Sequence, residues 1–78
     1  MPHVIVKLYP GRSDGQKAEL AQAITKTVMS VLGSKPESIS VGIEDVAPSE
    51  WADRVHGPDV LAKPETIYKQ PGTSAADA

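Results

Sequence analysis

Hydrophobic and polar positions alternate at the start of the chain. In His3–Tyr9, HVIVKLY, residues Val4, Val6 and Leu8 share one face and Ile5 with Lys7 the other, which is the period of a β-strand. Apolar residues on both faces near its start predict a strand covered on two sides. After the Pro10-Gly11 turn signal the period changes. From Asp14 to about Leu32 the apolar residues Leu20, Ala21, Ile24, Val28, Val31 and Leu32 recur at helical spacing, with Lys17, Glu19, Gln22 and Lys26 falling mostly elsewhere. Ser13 and Gln16 stand at capping-box spacing, and Asp14 puts a negative charge at the positive end of the helix dipole. Gly33 is the predicted C-terminal cap, and Pro36 forbids continuation.

A second alternation runs from Ser38 to Val46, SISVGIEDV, with Ile39, Val41 and Ile43 set against Ser40, Gly42 and Glu44. Strand, helix and strand joined by short connections predict an α/β chain built on a right-handed β-α-β unit with parallel strands. Beyond it, Pro48 ends the strand, Ser49 is the expected cap, and one or two helical turns carry Trp51 and Val55. His56-Gly57-Pro58 should interrupt them, leaving a second short helix through Val60 and Leu61 that Pro64 limits. The expected organisation is a single domain over 1–70 and a loose tail over 71–78, where PGTSAADA offers almost nothing to bury.

Size sharpens this picture. With 78 residues, no Phe and only Trp51, Tyr9 and Tyr68 as large rings, the core must come from Val, Ile, Leu and Ala. Two strands and one long helix cannot cover both faces of a sheet, so a second copy is the expected cover. Cysteine is absent, which removes disulfides and thiolate metal sites and fits a cytoplasmic location. A net charge of −2 argues against a nucleic-acid surface, and no stretch has the length of a transmembrane helix. His3 and His56 form no metal set with any carboxylate spacing.

Proline at position 2 has two readings. The first position of a strand is one of the few that tolerate proline. If Met1 is removed, however, Pro2 is a free secondary amine rather than an amide, and an amine can accept a proton. Surrounded by apolar residues such as Ile39, Val41 and Leu8, its charged form would lose solvation and its pKa would fall. A base with a pKa near the working pH can both take and return a proton.

Pro2 behind the initiator, GRSDGQK from Gly11 to Lys17 opening the helix, ESISVGIEDV in the second strand, and Trp51 shortly beyond together resemble the 4-oxalocrotonate tautomerase family. The similarity spans Pro2 to about Trp51, and the remaining segment is similar to that of the longer, dimeric bacterial members. The resemblance implies a tautomerase fold completed by self-association, most simply as a homodimer. It implies keto-enol tautomerisation of a small 2-oxo or 2-hydroxy carboxylate without cofactor or metal. Pro2 matches the general base, Arg12 the carboxylate ligand, and Trp51 the aromatic wall of the pocket. Founding members carry a second arginine where Ser40 stands, so the resemblance points to a monocarboxylate such as an aryl or alkyl enolpyruvate, with Ser40 donating one hydrogen bond. Two alternatives stay open. One is hydration or dehalogenation of an unsaturated acid, which needs a carboxylate to activate water, Glu50 and Asp53 lying near Trp51 in the chain; the other is a non-catalytic self-associating module in which Pro2 only begins a strand.

Overall fold

The computed structural model describes residues 1–72; the expected tail therefore lies, from residue 73 onward, outside the described residues. The chain divides into two compact units, the first formed by Met1–Lys7 with Gly11–Glu44 and the second by Leu8–Pro10 with the chain from Asp45 onward.

The first unit is the β-α-β core. Strand β1 covers His3–Leu8 and strand β2 covers Ser40–Asp45. The two form a single two-stranded sheet. Its register is held at one end by the Ser40 N–H donating to the Pro2 carbonyl, 3.2 Å, and at the other by the Val46 N–H donating to the Leu8 carbonyl, 2.8 Å. Both positions advance together along the two strands, so the pair is parallel, as expected. Alternation survives over the first four residues, with Val4 and Val6 half-buried and His3 and Ile5 exposed; beyond it Lys7 and Leu8 are both half-buried. The second covered side that Ile5 predicted is bare in the single chain, Ile5 being 52% exposed.

Helix α1 spans Asp14–Leu32 and begins and ends where its caps dictate. The Gln16 N–H donates to the Ser13 hydroxyl, 3.1 Å, and the Ser13 N–H donates back to Gln16 Oε1, 3.0 Å, closing both halves of the capping box. Gly33 takes a left-handed conformation (φ 72°) and its N–H donates to the Met29 carbonyl, 3.0 Å. Only glycine enters that region without a Cβ penalty, so the helix stops there. Strand β2 starts two residues later than the alternation predicts, because Pro36–Ser38 winds into a tight 3₁₀ turn. The Ser38 N–H and hydroxyl both donate to the Lys35 carbonyl, at 3.0 and 2.9 Å, which holds Ser38 out of the ladder.

The second unit departs from expectation in two ways. Ser49 caps nothing; it lies inside a 3₁₀ turn over Pro48–Glu50, and no side-chain cap bond is formed there or at the following helix. That helix, α2, runs unbroken over Ala52–Leu61 with Pro58 inside it, where two separate pieces were expected. The reason is its wide i→i+5 winding, seen in the Ala62 N–H donating to the Gly57 carbonyl, 3.0 Å. A proline breaks an ordinary helix through its missing i→i−4 bond and its ring's clash with that carbonyl. Widening the turn removes that carbonyl from the ring's path. Gly57 is part of the solution: a Cβ there would stand 3.0 Å from the Ala52 carbonyl oxygen. Among the described residues Val46 and Val55 are the buried hydrophobic ones, both in this unit.

Candidate functional site

Pro2 stands immediately before β1, half-buried, and its carbonyl receives the ladder bond from Ser40. The position asks nothing of the proline nitrogen, which explains how proline can open a strand without leaving a bond unmade. Ser40 opens β2 beside it, exposed. The register that joins Ser40 to the Pro2 carbonyl sets its side chain opposite His3, and His3 Nδ1 is hydrogen-bonded to Ser40 Oγ.

Arg12 lies in the connection between β1 and α1, next to the Ser13 cap. Gly11 precedes it at φ 124°, a left-handed conformation that turns the chain and that a larger residue would strain. Arg12 is exposed and makes an interaction of its own. It follows the end of β1 whereas Pro2 precedes the start, so the two lie beyond opposite ends of a strand roughly 20 Å long at ordinary strand rise. The structure thus brings Pro2 and Ser40 together and leaves Arg12 apart from them within one chain.

The same geometry revises the apolar surroundings expected for Pro2. Leu8 closes β1 and stands a full strand length away, so within one chain it is not a neighbour of the Pro2 nitrogen. Ile39 and Val41 flank Ser40 in sequence and are half-buried. Val41 also lines an open groove of about 450 Å³ with Ala21, Gln22, Thr25, Lys26 and Met29. None of the four candidate residues lines that groove, which lies between α1 and β2.

Trp51 is in the second unit, half-buried between the 3₁₀ turn and α2. Its ring meets that of Tyr9 edge to face, centroids 4.9 Å apart and planes at 88°. The quadrupoles of two rings favour this arrangement, which fixes the indole's orientation. Glu50 accepts a hydrogen bond from Arg54, 3.1 Å, across one helical turn, both side chains about half exposed (53% and 52%). Among the described residues no three His, Asp or Glu side chains gather as a metal set. No helix among them is long and apolar enough to cross a membrane.

Two residues near the candidates were not singled out by sequence. His3 carried a signal in the alternation, which sets it on one face, but its pairing with Ser40 depends on the inter-strand register. Tyr9, at the end of the first alternating run, gave no sign of meeting Trp51, because the contact joins positions 42 apart in the chain.

Comparison with known proteins places these residues in context. The family model described as tautomerase enzyme matches residues 2–59, beginning at Pro2. A probable tautomerase of Xylella fastidiosa (strain 9a5c) is 44% identical over 72 residues, covering 92% of this chain and 88% of the relative. Tautomerase PptA of Escherichia coli (strain SMS-3-5 / SECEC) is 36% identical over 75 residues, covering 95% and 99%. Among solved structures, TomN, a 4-oxalocrotonate tautomerase homologue in the tomaymycin biosynthetic pathway, superposes with a TM-score of 0.62 at 31% identity, covering 82% of this chain and 95% of that one. YwhB, another 4-oxalocrotonate tautomerase homologue, gives a TM-score of 0.57 at 39% identity, covering 59% and 75%.

Proposed function

The chain belongs to the tautomerase family, that of 4-oxalocrotonate tautomerase and its homologues, and on that premise we propose that it interconverts enol and keto forms of a small 2-hydroxy/2-oxo monocarboxylate with Pro2 as the general base. The observation that carries the reading is the division of labour at Pro2: its carbonyl takes the strand bond from Ser40, while its nitrogen has no structural duty. Removal of Met1 frees that nitrogen as an amine. The amine takes the hydroxyl proton of the enol as the C=O bond forms, and negative charge spreads over the oxygen and the conjugated carbon. The protonated amine then gives the proton to carbon, so one O–H bond is exchanged for one C–H bond and the base is regenerated.

Charge on the enolate oxygen needs donors aimed at it, and Ser40 supplies one. Arg12 grips the substrate carboxylate through two parallel hydrogen bonds. Trp51 walls the pocket and limits water, which keeps the amine's pKa low.

We propose further that the enzyme works as a homodimer. The described residues bury few apolar side chains, while Ile5, Val31, Leu32 and Leu61 are 52%, 73%, 66% and 66% exposed. A chain this short is stabilised by covering such surface with a second copy. Because Arg12 and Pro2 of one chain lie beyond opposite ends of β1, a second copy would also supply the arginine that works beside Pro2. Hydration or dehalogenation is less well supported: Glu50, a candidate for activating water, is engaged by Arg54.

The test combines intact mass with kinetics. The mature chain is expected to lack Met1, and ultraviolet loss of the phenylpyruvate enol should fall about 10²- to 10⁴-fold in Pro2→Ala, the range for removal of a general base. Retained Met1, or equal rates in the two proteins, would reject the reading.

A further inference from the structure

We propose that Tyr9 is a positioning residue, its ring holding the Trp51 indole in the orientation that lets Trp51 wall the pocket. The inference rests on that role of Trp51 and adds the part that fixes it. The two rings meet edge to face, centroids 4.9 Å apart and planes at 88°. Among the described residues the indole makes no other ring contact and no hydrogen bond. Trp51 is only half-buried, so enclosure by its surroundings does not by itself fix the ring.

Both rings stand on backbone that is already held. Just before Tyr9, the Leu8 carbonyl accepts the ladder bond from the Val46 N–H, 2.8 Å, and Val46 is almost wholly buried. Pro10 follows Tyr9 and confines it to extended backbone. On the other side, Trp51 closes the Pro48–Glu50 turn, its N–H donating to the Pro48 carbonyl, and opens α2 with helical dihedrals of φ −60° and ψ −46°. What is left to settle at Trp51 is its side-chain torsions. An aromatic neighbour selects among them, because the positive edge of one ring seeks the negative face of the other. An aliphatic side chain at position 9 could fill the same space but carries no quadrupole and selects nothing. Tyr9 also makes a further interaction of its own, so its ring and its hydroxyl have to be separated experimentally.

A wall excludes water only across the face that it presents. An indole that hops between rotamers opens a gap with each hop. Loss of the Tyr9 ring should therefore reproduce part of the loss of Trp51, and should add nothing once Trp51 is gone.

Trp51 is the only tryptophan in the chain, so its mobility can be read without a label. Near-ultraviolet circular dichroism and time-resolved fluorescence anisotropy should show an immobilised indole in the wild type. Tyr9→Leu should weaken the indole bands and add fast local rotation, and Tyr9→Phe should restore both signals. In parallel, kcat/KM for the phenylpyruvate enol should fall about three- to tenfold in Tyr9→Leu, the range that an aromatic pair supports, and recover to within about twofold of wild type in Tyr9→Phe. Tyr9→Leu combined with Trp51→Ala should be no slower than Trp51→Ala alone, since the two residues act as one unit. A mobile indole in the wild type overturns the proposal whether or not any variant folds. So do an immobile indole or undiminished kcat/KM in Tyr9→Leu, a Tyr9→Phe that behaves like Tyr9→Leu, or losses that multiply in the double variant. Trp51→Ala separates the premise: wild-type kcat/KM there defeats the wall itself and the proposal with it, whereas a slow Trp51→Ala beside a fast Tyr9→Leu defeats the proposal alone.

Discussion

At Pro2 the property that makes proline a poor interior strand residue, its missing N–H, is harmless because the ladder there uses the carbonyl. Ser40 is held by its backbone to Pro2 and by its hydroxyl to His3, while Arg12 lies on an exposed connection and makes an interaction of its own. The consequences of losing each differ accordingly. Arg12→Ala should raise KM for a carboxylate substrate about tenfold or more with a smaller change in kcat, since one charge-assisted bidentate contact is worth about 1.5–3 kcal/mol. Steady-state kinetics on the phenylpyruvate enol checks it, and an unchanged KM removes Arg12 from the site. On the role proposed for Trp51, Trp51→Ala should admit water and so stabilise the charged amine. The Pro2 amine's pKa then rises, and the limb of the pH–rate profile that reports the free base moves to higher pH. An unmoved limb in kcat/KM counts against a drying role.

Helix α1 is bounded by local devices that act without tertiary help. Ser13→Ala removes the hydroxyl that receives the Gln16 N–H and one half of the capping box, which should cost about 1 kcal/mol in denaturant unfolding. Helix α2 is bounded by nothing of the kind. Its i→i+5 winding carries Pro58 internally and brings the Ala52 carbonyl against the bare Cα of Gly57. Gly57→Ala therefore sets a Cβ 3.0 Å from a backbone oxygen, which flexible side-chain motion cannot relieve. A loss of about 1–3 kcal/mol is expected, despite alanine's better helix propensity. A stabilised Gly57→Ala in the same unfolding measurement would show that the wide winding is not held in solution.

The described residues have little hidden from water. Val46 is 1% exposed and Val55 8%, and both are single valines rather than members of a thick core. Val46→Ala should cost about 2 kcal/mol, from two buried carbon groups and the gap they leave. Exposed Ile5 on the sheet and Val31 and Leu32 at the end of α1 are surface that a second copy would cover. Folding linked to association makes stability depend on protein concentration. Tm should then rise by several degrees over a hundredfold increase in concentration, with sedimentation giving a dimer mass; a monomer with a concentration-independent Tm would defeat the homodimer.

Read by itself, the sequence determined whatever rests on short-range periodicity and caps. The strand of β1, the limits of α1 at Ser13 and Gly33, and the parallel β-α-β order follow from interactions within a few residues or from the handedness of a crossover. Its conjunction of Pro2, the GRSDGQK segment and Trp51 also carried the family resemblance. Tertiary structure alone decided which residues meet across long stretches of chain: His3 with Ser40, Tyr9 with Trp51, and Pro2 with Ser40 rather than with Arg12 or Leu8. It also decided that α2 runs through Pro58. The physical reason is that a single-residue shift in pairing moves every side chain to the other face, and that winding around a proline depends on room left by Gly57; neither is written in the local alternation of polar and apolar residues.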